Sequence, residues 1–138
     1  MNSWVAKVVM DMAIKTLIGV YKADGGLVGE LSYFFGHLVG TKECSLCDIT
    51  HSPFRKKREF KDLEKRLNQE FGVDFRLVHM NERSDSELQA SEGREPCVLL
   101  QHQDGSISMF LDFVELKAAD GSVASFEKLV RNRLDIFI

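Results

Sequence analysis

Three cysteines, two prolines and no apolar run long enough to cross a membrane set the first limits on this chain of 138 residues. An odd and small cysteine count excludes a full disulfide framework and fits a reducing, cytoplasmic setting better than a secreted one. Positive charge is in deficit, with 18 Lys and Arg against 21 Asp and Glu and a net charge of −3. With a pI near 5.8, this argues against general affinity for nucleic acid or an anionic membrane surface. Residues 1–10 are apolar but lack a positive n-region, an uninterrupted apolar core and a small-residue cleavage site, so no signal peptide is expected. A phosphate-wrapping Gly-x-x-x-x-Gly-Lys-Ser/Thr loop is missing, which argues against a P-loop GTPase. No internal repeat or linker divides the chain. Residues 1–138 read as one domain, with 1–11 as an extension that adds little to the fold.

What is present suits a globular domain. The chain is 44% hydrophobic and 28% charged, and its length suffices for a single core. Thr16 to Tyr21 is a short, continuous apolar run, predicting a central strand covered on both faces. Lys22 to Gly26 is a turn signal. Leu27, Leu31, Phe34, Phe35 and Leu38 recur at helical spacing and predict a helix over Gly26 to Val39, stopped by Gly40. Ser52 and Pro53 resemble a cap and first position for a second helix, reaching Phe71 with Phe60, Leu63 and Leu67 in its stripe and closed by Gly72. Residues 73–80 predict a strand, and the polar stretch 82–95 a surface loop with at most one helical turn at Ser86 to Gln89. A strand from Pro96 to His102, a turn at Gln103-Asp104-Gly105 and a return strand over 106–111 form a hairpin. Ser122 then caps a last helix with the stripe Val123, Phe126, Leu129, Val130 and Leu134. The predicted fold class is α/β: a mixed four-stranded sheet flanked by helices.

Chemistry concentrates in Cys44-Ser45-Leu46-Cys47-Asp48-Ile49-Thr50-His51. If the segment is helical, offsets of three and seven put Cys44, Cys47 and His51 on one face. One reading is a redox dithiol, in which Cys44 attacks, Cys47 resolves the mixed disulfide and His51 favours the thiolate. It needs no cofactor. A second is a zinc site, with Cys44, Cys47 and His51 joined by a fourth ligand. His37 and His79 suit that place best by type, with Cys97 and Asp48 as further candidates. In the third reading these residues only pack. Asp24-Gly25-Gly26, at the end of the first strand, offers backbone N–H groups for an anion or is simply a tight turn. Arg55-Lys56-Lys57-Arg58 either grips a polyanion or forms a solvated helix face paired with Glu59, Asp62 and Glu64. As the first residue of an apolar strand, Cys97 is expected in the core.

The order Pro96-Cys97-Val98-Leu99-Leu100, then Asp104-Gly105, a strand and a capped amphipathic helix resembles the C-terminal half of thioredoxin, over residues 96–135. The resemblance implies a thioredoxin-like fold in which the strand-opening Pro96 is cis and walls the active site, and protein thiols or disulfides as partners. Thioredoxins carry Cys-x-x-Cys directly after the first strand. Here Asp24-Gly25-Gly26-Leu27 holds that place, and Cys-x-x-Cys is displaced to after the first helix. The chain also resembles a group of uncharacterised bacterial proteins with an Ala-Asp-Gly-Gly turn and a Cys-x-Leu-Cys-Asp-Ile-Thr-His segment. The expected working surface therefore joins Cys44, Cys47, His51 and Pro96. Its alternatives are a zinc-binding module and a non-catalytic thioredoxin-like adaptor for a protein partner.

Overall fold

The computed structural model describes residues 14–22, 44–52 and 55–137. The expected N-terminal extension, the Asp24-Gly25-Gly26 turn, the Gly26–Val39 helix with His37, and Pro53 lie outside the described residues. In chain order the described elements are strand β1 (Ile14–Val20), helix α1 (Ser45–Thr50), short strands β2 (His51–Ser52) and β3 (Arg55–Lys56), helix α2 (Arg58–Phe71), strand β4 (Asp74–Val78), a 3-10 turn (Met80–Glu82), helix α3 (Asp85–Ser91), strands β5 (Cys97–His102) and β6 (Ile107–Leu111), and helices α4 (Phe113–Ala118) and α5 (Val123–Phe137).

The run from Thr16 to Tyr21 has no polar face to offer water, and all six of its residues are buried. β1 accordingly lies inside a four-stranded sheet of order β4-β1-β5-β6. It pairs parallel with β4 and antiparallel with β5, and β5 pairs antiparallel with β6. The architecture is thus α/β with a mixed sheet flanked by helices. Side chains alternate along β1. Leu17 and Tyr21 join the larger core with Leu46, Phe60, Leu63, Leu67, Phe126, Val130 and Leu134. Ile18 and Val20 join a smaller cluster with Val78, Cys97 and Leu99, partly covered by Ala90 of α3. Gly19 lies between its register partner Leu77 of β4 and Leu46 of α1: an added Cβ would come within 2.8 Å of Leu77 Cδ2 and 3.1 Å of Leu46 Cδ2.

The stripe of α2 buries Phe60, Leu63 and Leu67, and Phe60 packs edge-on to Phe75 at 5.3 Å between ring centroids. Gly72 closes the helix at φ +68°, the left-handed position that glycine adopts without a Cβ penalty. The start of α2 differs from expectation. Ser52 is not its cap. His51 pairs with Lys56 and Ser52 with Arg55 in a two-stranded ribbon, and the Lys57 N–H donates to the Thr50 carbonyl at 2.7 Å. Backbone groups that a helix would use internally are committed to this ribbon, so helix begins only at Arg58.

The stretch read as a surface loop holds the 3-10 turn and α3. Ser84 starts α3 with a capping box: its Oγ accepts from the Glu87 N–H, and Glu87 accepts from the Ser84 N–H at 2.9 Å. A second box, Asp112 with Glu115, starts α4, which the sequence reading left out. The last helix follows expectation. Ser122 Oγ accepts from the Ser125 N–H at 3.1 Å, and Phe126, Val130 and Leu134 are fully buried.

Candidate functional site

α1 is short and its two ends carry the chemistry. Cys44 occupies the N-cap in extended backbone, φ −149° and ψ 100°. Its Sγ accepts from the Cys47 N–H at 3.3 Å and from the Lys22 N–H at 3.5 Å. These donors come from the first turn of α1 and from the chain leaving β1. The Cα atoms of Cys44 and Cys47 are 5.2 Å apart and their sulfurs are within bonding distance as a disulfide. Both residues are buried, Cys44 fully and Cys47 to 7% exposure. The helical-face expectation is corrected here. Helix covers only Ser45–Thr50, and His51 has already turned to φ −129° and ψ 144°. His51 stays near because its N–H donates to the Cys47 carbonyl as the C-cap, not because a seven-residue offset aligns it.

At the far end of α1 three polar side chains close a triangle. Tyr21 Oη lies 2.7 Å from Thr50 Oγ1 and 3.1 Å from His51 Nδ1. Thr50 Oγ1 lies 2.7 Å from the same Nδ1. Tyr21 and Thr50 are buried and His51 is partly so. The tyrosine ring also stands edge-on to His51, 5.8 Å between centroids, and tilted against His79 at 5.1 Å. His79 Nδ1 in turn lies 2.6 Å from Glu82 Oε1. The His79 N–H and the His79 ring, in that order of weight, hold the Glu82 carboxyl below the usual range.

Strand register explains the convergence. Val20, at the end of β1, is opposite Val78 on one side and Cys97 on the other. The next residues along, Tyr21, His79 and Pro96, therefore stand at one edge of the sheet. The Tyr21 N–H continues the ladder to the Val78 carbonyl at 2.9 Å. The Glu95–Pro96 peptide bond is cis, and the segment before it is anchored by Arg83, which pairs with Glu95 at 2.6 Å and donates to Ser91 Oγ at 3.0 Å. This edge lies at the carboxyl ends of the parallel strands, where open α/β sheets bind ligands.

Cys97 faces away. It belongs to the cluster on the opposite side of the sheet from Cys44 and Cys47. Burial first, and then the negative charge of Glu95, push its thiol up to about 12. Among the described residues no group of three His, Cys, Asp or Glu side chains is placed to hold a metal ion. Cys44 and Cys47 are bonded to each other, His51 Nδ1 meets two hydroxyls and His79 Nδ1 meets a carboxylate. His37, the other favoured fourth ligand, lies outside the described residues.

The basic run is divided rather than gathered. Arg55 and Lys56 are in β3 and Lys57 is the N-cap of α2. Lys56 pairs with Glu64 and sits over the Phe60 ring, while Lys57 Nζ donates to the Gly121 carbonyl at 2.9 Å. Sequence reasoning missed Tyr21, Thr50 and the Lys22 N–H as members of the site. Two signals stood in the chain: Tyr21 is the polar-tipped residue ending an apolar central strand, and Thr50 adjoins the histidine. No described helix is long and apolar enough to cross a membrane.

Comparison with protein families, with characterised proteins and with solved structures returns no match to this chain.

Proposed function

We propose that this chain is a thiol–disulfide exchange domain of thioredoxin-like type, with Cys44 and Cys47 as its redox pair. The observation that carries this reading is the pair itself: two cysteines at bonding distance across the first turn of a helix, at the carboxyl edge of a parallel strand pair. The mixed four-stranded sheet, the hairpin and the strand-opening Pro96 at the same edge support the thioredoxin-like assignment.

The oxidised pair reacts with a client dithiol. A client thiolate attacks one sulfur, the Cys44–Cys47 bond breaks, and its electron pair leaves on the other sulfur. A second client thiolate then attacks the client sulfur of the mixed disulfide. The client departs oxidised and this chain is left with two thiols. Run backwards, the same steps reduce a client disulfide, with the Cys44 thiolate attacking and Cys47 resolving. Cys44 suits the anionic role because its sulfur already accepts two backbone N–H groups. The clients are protein thiols or disulfides, and the exchange needs no bound cofactor.

Trapping tests the reading. Incubated with a small disulfide-bearing protein under mildly reducing conditions, a Cys47→Ser variant is expected to accumulate mixed disulfides through Cys44, and a Cys44→Ser variant is not. No adduct with either variant, in protein that remains folded, would overturn it.

A further inference from the structure

We propose that Tyr21 and Thr50 are positioning residues that fix the tautomer and orientation of the His51 ring, a role that rests on the thiol-exchange reading of the neighbouring pair. The geometry orders the protons. Three atoms, Tyr21 Oη, Thr50 Oγ1 and His51 Nδ1, lie 2.7 to 3.1 Å apart in a closed triangle. A phenol is a much stronger acid than an aliphatic hydroxyl, and an imidazole nitrogen is the strongest base of the three. Of the two arrangements that use both 2.7 Å contacts, the one that matches these acidities runs from Tyr21 O–H to Thr50 Oγ1, and from Thr50 O–H to His51 Nδ1. In the neutral ring Nδ1 is then the acceptor and the proton sits on Nε2. The reverse direction, from His51 Nδ1–H to Thr50 Oγ1 and from Thr50 O–H to Tyr21 Oη, uses the same two contacts but turns the most acidic hydroxyl into an acceptor and the most basic nitrogen into a donor.

Burial makes the arrangement stiff. Thr50 is fully buried and Tyr21 is 4% exposed, so water does not readily replace either hydroxyl. The β-branched Thr50 has few rotamers to choose from. The Tyr21 ring packs in turn against the rings of both His51 and His79. Each member comes from a different origin: Tyr21 from the end of β1, Thr50 from the last residue of α1, and His51 from the start of β2. The relay thus ties the cysteine-bearing segment to the sheet edge through the His51 ring.

The test reads the ring and the reaction separately, on the full chain in its oxidised form. The 15N shifts of the His51 ring nitrogens, assigned with a His51→Gln variant, report the tautomer directly. Nδ1 is expected to be unprotonated in the neutral ring of the unaltered protein and of Thr50→Ser. In the double variant Tyr21→Phe/Thr50→Val, which removes both hydroxyls that reach Nδ1, both tautomers are expected. The rate of disulfide reduction by dithiothreitol should fall on the order of 10-fold in the double variant, the loss of one hydrogen bond of ordinary strength to the ring, and stay near that of the unaltered protein in Thr50→Ser. Either single variant, Tyr21→Phe or Thr50→Val, should mix the tautomers less and slow the reaction less, because the other hydroxyl still reaches Nδ1, Thr50 at 2.7 Å or Tyr21 at 3.1 Å. A protonated Nδ1 in the unaltered protein, or a folded double variant with unchanged shifts and rate, would overturn the relay. If the unaltered protein exchanges no thiols at all, the thiol reading itself falls, and with it the role of the relay in the reaction, whatever the shifts show.

Discussion

Cys97 and Cys44 show how far apart two cysteines of one small chain can be in chemistry. Cys97 is sealed in an apolar cluster with its thiol pushed up to about 12, so its thiolate is scarce at neutral pH. Cys44 sits where two backbone N–H groups reach its sulfur. After reduction of the native protein, brief treatment with iodoacetamide at pH 7.5 should therefore leave Cys97 unmodified while Cys44 or Cys47 is alkylated, as read by peptide mass. Cys44 is buried as fully as Cys97, so the contrast rests on the surroundings of the two sulfurs, and labelling of Cys97 ahead of both others would contradict it. At this scale the sequence was legible in residue type and local spacing: a Cys-x-x-Cys pair, and a core cysteine opening an apolar strand. The partners were not legible. Tyr21 lies 29 residues from Thr50, and nothing in local spacing says that strand register will bring them together.

The elements were legible where one face had to be buried. β1, α2 and α5 announce themselves by uninterrupted or helically spaced apolar residues, and all three are found close to where that pattern puts them. Misses fall on elements stabilised by polar detail. α3 begins at a capping box in sequence too polar to show a stripe, α4 begins at another and at six residues is too short to show one, and the start of α2 was displaced by a two-residue ribbon that no periodicity marks. Two substitutions probe this scale. Leu63→Ala removes a fully buried side chain from α2 and should cost about 2–5 kcal/mol by urea unfolding, the usual range for such a cavity. Gly19→Ala puts a methyl group 2.8 Å from Leu77 Cδ2 and 3.1 Å from Leu46 Cδ2, and should destabilise by about 1–3 kcal/mol because a central strand between packed layers has little room to yield. A Gly19→Ala protein as stable as the original would mean that β1 is not held between those side chains.

The whole molecule is stitched by carboxylates whose folded state favours the charged form. Glu127 is held below its ordinary value of 4.5 chiefly by the Arg66 hydrogen bond, with Arg131 assisting. Glu87 loses solvation on burial, which alone would raise it, yet the Ser84 N–H and Arg76 bring it below 4.5 as well. A carboxyl depressed in the folded state contributes stability that is full above its unfolded value and is lost as pH falls through the folded one. Stability should therefore be level near neutrality and decline below about pH 4.5, the ordinary value for these glutamates. Glu127→Gln should lower the neutral plateau and flatten that decline, measured by urea midpoints across pH. An acid limb of unchanged steepness would show that the Arg66–Glu127–Arg131 cluster does not drive it.

The fold class was readable from element order, since a strand, crossover, strand and hairpin leave few ways to make one sheet. The working edge was less so, because it is assembled from the ends of strands far apart in sequence. Its central claim is that Cys44 and Cys47 form a reversible redox pair. The most direct measurement is a thiol count on the 138-residue chain equilibrated across dithiothreitol buffers of defined potential, quenched by alkylation under denaturing conditions. The account predicts one reversible two-electron step, from a single alkylated cysteine (Cys97) in the oxidised form to all three of the chain's cysteines in the reduced form, with a midpoint above about −300 mV as for catalytic rather than structural disulfides. Three thiols at every potential, or a Cys44–Cys47 bond that survives well below that midpoint, would contradict it.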